Sequence, residues 1–142
     1  LKEVLVAWSS SGLTTVLGAA DITDIDWNIT AFDKSAGGTL STTVVFNEAV
    51  DVTGTPQLTV VNDQRANHTL SYASGTGTNE LVFTLAIAAA NAATNAGDVL
   101  SIGANAVALN GGTIKDTGTN TVSTITSVAG IGTAAGTITV VA

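Results

Sequence analysis

Three observations on this sequence predict an all-β fold, an antiparallel sandwich or barrel. Short apolar–polar alternations recur along the chain, turn residues separate them at close spacing, and no long stretch carries the 3.6-residue apolar stripe of a packed helix. Without helical crossovers a parallel α/β sheet has no means of connection. With 142 residues, 45% of them apolar, the chain has the length and hydrophobic content for one domain with its own core.

The elements follow in order. Residues 1–36 hold both tryptophans, Trp8 and Trp27, and a dense group of acids, Asp21, Asp24 and Asp26. They are read as an N-terminal arm or strand extension, and residues 37–142 as the sandwich with a neutral C-terminal strand. Within the arm, Asp24, Asp26 and Asn28 share one face and Ile25, Trp27 and Ile29 the other, so one side is wet and acidic and the other buried. Gly37-Gly38 marks a turn or hinge. Leu40, Thr42, Val44 and Phe46 fall on one face, with a change of direction expected near Asn47-Glu48. Gly54-Thr55-Pro56 is a turn, because proline presets φ and glycine permits a positive one. Residues 57–61 and 68–72 read as a strand pair joined through Asn62-Asp63. The strongest strand is 80–87, with Leu81, Phe83, Leu85 and Ile87 on one side. Shorter strands are expected at 98–102, 107–109 and 113–115. Residues 121–128 alternate again, Val122, Thr124 and Thr126 against Ser123, Ile125 and Ser127, and 136–142 form the last strand. The alanine-rich stretch 86–96 has no charge and no apolar stripe, and is expected to be a loop or a helical turn.

Charge narrows the function classes. Only 11% of residues are charged, with a formal net charge of −7. Lys2, Lys34, Arg65 and Lys115 stand singly, whereas nucleic acid and anionic membranes call for clustered cations, so neither partner is expected. No apolar run approaches the roughly 20 residues of a bilayer span, and residues 1–8 have neither the length nor the flanks of a signal peptide. Asp116 is the last charged residue, and the tail behind it lacks the lysine or proline that guards an exposed strand edge. That tail either runs centrally through the sheet or is covered by another subunit.

The chemistry of catalysis is thin. There is no cysteine, and His68 is the sole histidine, placed on an expected strand. Ser74 lies in a turn, without the strand–turn–helix of a nucleophile elbow, and Gly75-Thr76-Gly77 has no following helix to cradle phosphate. Asp24 and Asp26 lack aromatic platforms for a sugar. No catalytic residue is assigned, and the chain is expected not to be an enzyme.

Three stretches, 44–58 (VVFNEAVDVTGTPQL), 72–83 (YASGTGTNELVF) and 109–116 (LNGGTIKD), resemble in order and spacing the bacterial immunoglobulin-like repeat of large surface adhesins. The resemblance covers roughly residues 38–125 and rests mostly on turn chemistry, which specifies fold well and activity poorly. It implies an immunoglobulin-like antiparallel β-sandwich. The adhesin repeat occurs in tandem, but this chain holds one copy between its own flanks, a form similar to the modules grafted onto phage virion proteins. The implied role is a structural one: a capsid decoration or cement protein at the virion surface, bound to a major capsid protein or another virion protein and forming homo-oligomers such as trimers. The alternative it implies is an extracellular or cell-surface adhesin or surface-layer module that binds glycan or neighbouring repeats. Contacts with a neighbour would fall to apolar residues of the flanks: Leu5, Val6, Trp8 and Trp27 in front, Ile131 and Val140 behind. Calcium is the one cofactor the resemblance raises, since Glu48, Asp51 and Asp116 lie in the matching turns. With no calcium-loop motif and no repeat junction, no cofactor is assigned.

Overall fold

The alternation beginning at Leu40 runs on past its expected turn, and the strand it forms organises the molecule. A computed structural model describes residues 7–9, 12–14 and 18–142. Twelve strands and one short helix follow one another: β1 (Ala7–Ser9), β2 (Gly12–Thr14), β3 (Ile22–Trp27), β4 (Phe32–Asp33), β5 (Gly38–Thr53), β6 (Gln57–Asn62), β7 (His68–Ser74), β8 (Thr78–Ile87), β9 (Val99–Ser101), β10 (Val107–Ala108), β11 (Thr113–Asp116), α1 (Ala129–Ala135) and β12 (Ile138–Val141). The fold is all-β. β1 and β2 form a hairpin of their own, and the other ten strands make a mixed sheet in the order β11-β5-β8-β7-β6-β9-β12-β4, with β3 also paired to β5 and β10 to β6. The sheet curls around a single core, to which β3 through β12 all contribute.

β5 is sixteen residues long because no reversal occurs at Asn47-Glu48. The register against β8 breaks between Val45 and Val50, a bulge that lets the strand change partners instead of direction. Before the bulge β5 pairs with β3, and after it with β11. The inward positions keep their period of two throughout: Leu40, Thr42, Val44, Phe46 and Val50 are buried. Glu48 therefore stands on the inward parity, between two core residues.

The segment assigned to an arm is part of the body from residue 18 onward. Ile22, Ile25 and Phe32 are core residues. Ile22 and Ile25 are three apart, so a regular strand would point them to opposite faces. A register shift between Ile22 and Asp24 absorbs the extra residue and turns both inward.

The paired strands β6 and β7, the long β8 and the turn at Gly54-Thr55-Pro56 form as the sequence predicts. Residues 88–98 are turns, not a helix. The hairpin between β7 and β8 is tight: a Cβ on Gly75 would lie 2.0 Å from the Glu80 carbonyl oxygen, and its φ of +117° suits glycine alone.

The neutral tail departs most from expectation. Residues 121–128 run extended but form only single bridges, Lys115 to Val122 and Asp21 to Thr124, and so are not a strand. The chain then turns into α1, whose Ile131 and Ala135, four apart, pack on the core. Gly132 permits this approach, since a Cβ there would sit 1.9 Å from the Ile102 carbonyl oxygen. β12 lies inside the sheet, antiparallel to β9 and parallel to β4, which places this last strand centrally.

Candidate functional site

The flanking residues expected to contact a neighbour differ in their placement among the described residues. Leu5 and Val6 lie outside the described residues. Trp8 is on β1, opposite Leu13 of β2. Trp27 is half-buried, packs on the core and donates its indole N–H to the Gly136 carbonyl at 3.2 Å. Ile131 is half-buried under α1. Val140 is 1% exposed, because β12 is flanked on both sides and its alternate residues face the core, and its assignment to a partner contact is corrected accordingly.

Among the described residues the structure instead exposes three other valines, Val122, Val128 and Val141, the first two in one extended segment. From residue 123 the odd positions turn inward: Ser123 and Ser127 are buried and Ile125 is half-buried. Val122 and Val128 point outward, 56% and 70% exposed. Two serines thus lie inside while two valines, with Thr124 and Thr126 between them, face water. Neither serine hydroxyl has a hydrogen-bond partner. The backbone explains why the segment sits this way round. Ser123 N–H donates to Ile114 O at 2.9 Å, Thr124 N–H to Ala20 O at 2.8 Å, and Ser127 N–H to Asn105 Oδ1 at 3.1 Å. These bonds seal the ends of β11 and β3 and fix which parity faces in. Uncharged α1 continues the exposed surface. The alternation at 121–128 was legible in sequence, but hydroxyl and β-branched residues stand on both faces, so its orientation was not.

A second feature is a polar cluster at the loops joining β6 to β7 and β8 to β9. Asp98 is buried, and its Oδ2 accepts from Asn62 Nδ2 (3.0 Å), the Asn95 N–H (2.9 Å) and Arg65 Nε (3.1 Å). Desolvation pulls the Asp98 carboxyl upward, but the Asn62 amide, the Asn95 N–H and Arg65 together hold it below the ordinary aspartate value. Asn62 also receives the Gln64 and Arg65 N–H groups on its Oδ1, at 2.9 and 3.1 Å. His68 Nε2 lies 3.4 Å from Asn62 Nδ2. Burial pushes the imidazole below its ordinary value, with the Asp98 charge opposing. An open cleft of about 370 Å³ adjoins, lined by Gln64, Arg65, Ala66, Asn67, His68, Ala92 and Ala93. Asp98 and Asn62 are committed to holding the two loops together.

Among the described residues no group of three or more His, Asp or Glu side chains is placed to hold a metal ion. Of the three acids in the adhesin-like turns, Asp51 is exposed opposite Lys115, whereas Glu48 and Asp116 approach each other at the rim of the core. On the wet face, Asp26 is raised above its ordinary value, by desolvation first and then by Asp24 and Glu80 across the strands. No helix among the described residues is long and apolar enough to cross a membrane. Comparison with protein-family models, with curated proteins and with solved structures returned no match.

Proposed function

We propose that this chain is a non-catalytic structural module of immunoglobulin-like type that acts by surface contact, as a decoration or cement protein on a virus particle. The observation that carries this reading is the segment 121–128, which turns two valines to water while Ser123 and Ser127 are buried. A surface in water normally turns serine out and valine in. Val122 and Val128, with Thr124 and Thr126 between them and a helix without charge after them, offer a neutral surface whose valines gain by burial against a capsid protein or a sister copy. The acidic net charge and scattered cations fit a role away from nucleic acid. The reserved chemistry fits as well, since the one histidine and the best-ordered carboxylate are tied to loop geometry.

The adhesin reading keeps one support: the turn at Gly54-Thr55-Pro56 and the glycine-dependent hairpin at Gly75 fall within the stretches that resemble the surface repeat. Labelling intact particles and host cells with an antibody against this chain separates the two. Signal on virions, together with co-sedimentation of the purified chain with particles stripped of it, supports the first. Signal confined to the cell envelope refutes it.

A further inference from the structure

Two carboxylates on inward-facing positions each keep one buried oxygen without a partner. Glu48 occupies the core-facing parity of β5 at its bulge, and Asp116 is the last residue of β11, opposite Val50 and 2% exposed. Asp116 Oδ1 is satisfied by the N–H groups of Gly118 (2.8 Å) and Thr119 (2.9 Å). Asp116 Oδ2 and Glu48 Oε2 are both buried, and neither has a hydrogen-bond donor. Two ionised carboxylates would leave both of these oxygens desolvated and mutually repelling, which costs free energy although Glu48 as a whole is only half-buried. Something positive must sit between them. A calcium ion needs six or more oxygens, and no third acid is placed to complete a metal-holding group among the described residues. A proton needs only the two atoms that lack partners.

We propose that Glu48 and Asp116 share one proton, Glu48 Oε2–H donating to Asp116 Oδ2, and that this bond is a pH-dependent latch on the turn that carries the exposed segment 121–128. The charges that reach Glu48 all disfavour its ionisation: Asp116 from β11, and Asp21 from the residues ahead of β3. No salt bridge among the described residues involves either partner. Desolvation is the largest influence on Glu48 and, with Asp116 and Asp21, raises its carboxyl above the ordinary value. The latch sits where several elements meet. Thr117 N–H donates to Ala49 O at 3.0 Å, Asp116 N–H to Thr121 O at 2.8 Å, and Thr119 Oγ1 to Gly18 O at 3.0 Å. Loss of the proton introduces a second buried negative charge at this junction and loosens the lead into Val122.

The sign follows from linkage. A carboxyl whose folded value exceeds its unfolded value contributes stability that is complete below the unfolded value and is lost as pH rises through the folded value. The test is thermal melting of the whole chain from pH 4 to pH 8, comparing wild type with Glu48→Gln, whose amide donates at every pH. Glu48→Gln is expected to melt roughly 3–6 °C above wild type at neutral pH and to converge with it at pH 4. Asp116→Asn provides a second variant, and the Glu48 carboxyl carbon followed by NMR titrates above its ordinary value in the folded wild type. Parallel pH profiles for wild type and both variants, or an ordinary Glu48 titration, overturn the proposal. So does a rise in wild-type melting on adding calcium chloride that Glu48→Gln abolishes, because the pair would then hold a cation and not a proton.

Discussion

Two glycines in α1, one residue apart from sharing a side, are expected to respond to alanine with opposite sign. Gly130 has nothing within 4 Å of the place its Cβ would occupy, whereas at Gly132 the Ile102 carbonyl oxygen lies 1.9 Å away, its carbon 2.6 Å and Ile102 Cγ2 3.2 Å. At Gly130 only backbone preference acts, so Gly130→Ala should stabilise by about 0.5–1 kcal/mol. At Gly132 the same preference is opposed by a clash with backbone that cannot rotate away. A Cβ–oxygen contact needs at least 3 Å, so α1 must lift by about 1 Å. That lift loosens Ile131 and Ala135 from the core and strains the bond from the Trp27 indole to Gly136. Overpacking of about 1–3 kcal/mol and the weakening of one hydrogen bond worth about 1 kcal/mol outweigh the helical gain. The net cost is about 1–3 kcal/mol, or a fall of roughly 3–12 °C in melting temperature. Circular dichroism melts of the two variants decide the matter, with Trp27 fluorescence reporting whether the indole has moved. If Gly132→Ala is as stable as Gly130→Ala, the close approach of α1 to Ile102 is wrong.

Three further outcomes are expected. Asp98→Ala leaves the buried Asn62 amide and the partly buried Asn95 N–H without their acceptor and should cost about 2–3 kcal/mol in urea titration, with little of this from Arg65, whose guanidinium is partly in solvent. Because the Asp98 carboxyl is held below its unfolded value, its contribution is present above that value and lost as pH falls through the folded one, so the variant should show a shallower loss of stability in acid than wild type. The double change Val122→Ser with Val128→Ser should leave the melting temperature within about 0.5 kcal/mol equivalent of wild type while reducing sedimentation with particles; a large loss of stability would mean that the valines serve the fold. Gly75→Ala, strained in φ and blocked by the Glu80 carbonyl, should destabilise by more than about 1 kcal/mol, read by the same urea titration.

Strand periodicity carried the sequence reading wherever apolar and polar residues alternated cleanly. Leu81 and Phe83 in β8, and Leu58 and Val60 in β6, needed nothing beyond their spacing. It failed where irregular pairing decided the outcome. Asn47-Glu48 has the chemistry of a turn, yet neighbours on both sides of β5 hold it extended through a bulge. Ile22 and Ile25 stand at a spacing that no regular strand buries on one side, so their joint presence in the core rests on a register shift fixed by β5. α1 has too few apolar residues to announce itself, and forms because Gly132 can touch Ile102 across some thirty residues of chain. Glycine and proline at Gly54-Thr55-Pro56 and Gly75 announced turns but said nothing of which valines face water. Polarity within 121–128 depends on backbone bonds to Ile114, Ala20 and Asn105, all remote in sequence.

The placement of β12 between β9 and β4 bears on how the molecule assembles. Val140 lies against Phe32 and Ile138 against Leu100, so a strand must slot between two that precede it in the chain. Until it arrives, β4 has no neighbour in the sheet and β9 has an open side, both inviting the wrong strand. Closing a loop of that span before any reward makes the final step slow. Folding of this chain should therefore finish at a seam, and a nascent or trimmed form lacking residues 138–141 should capture a strand from another molecule in place of its own.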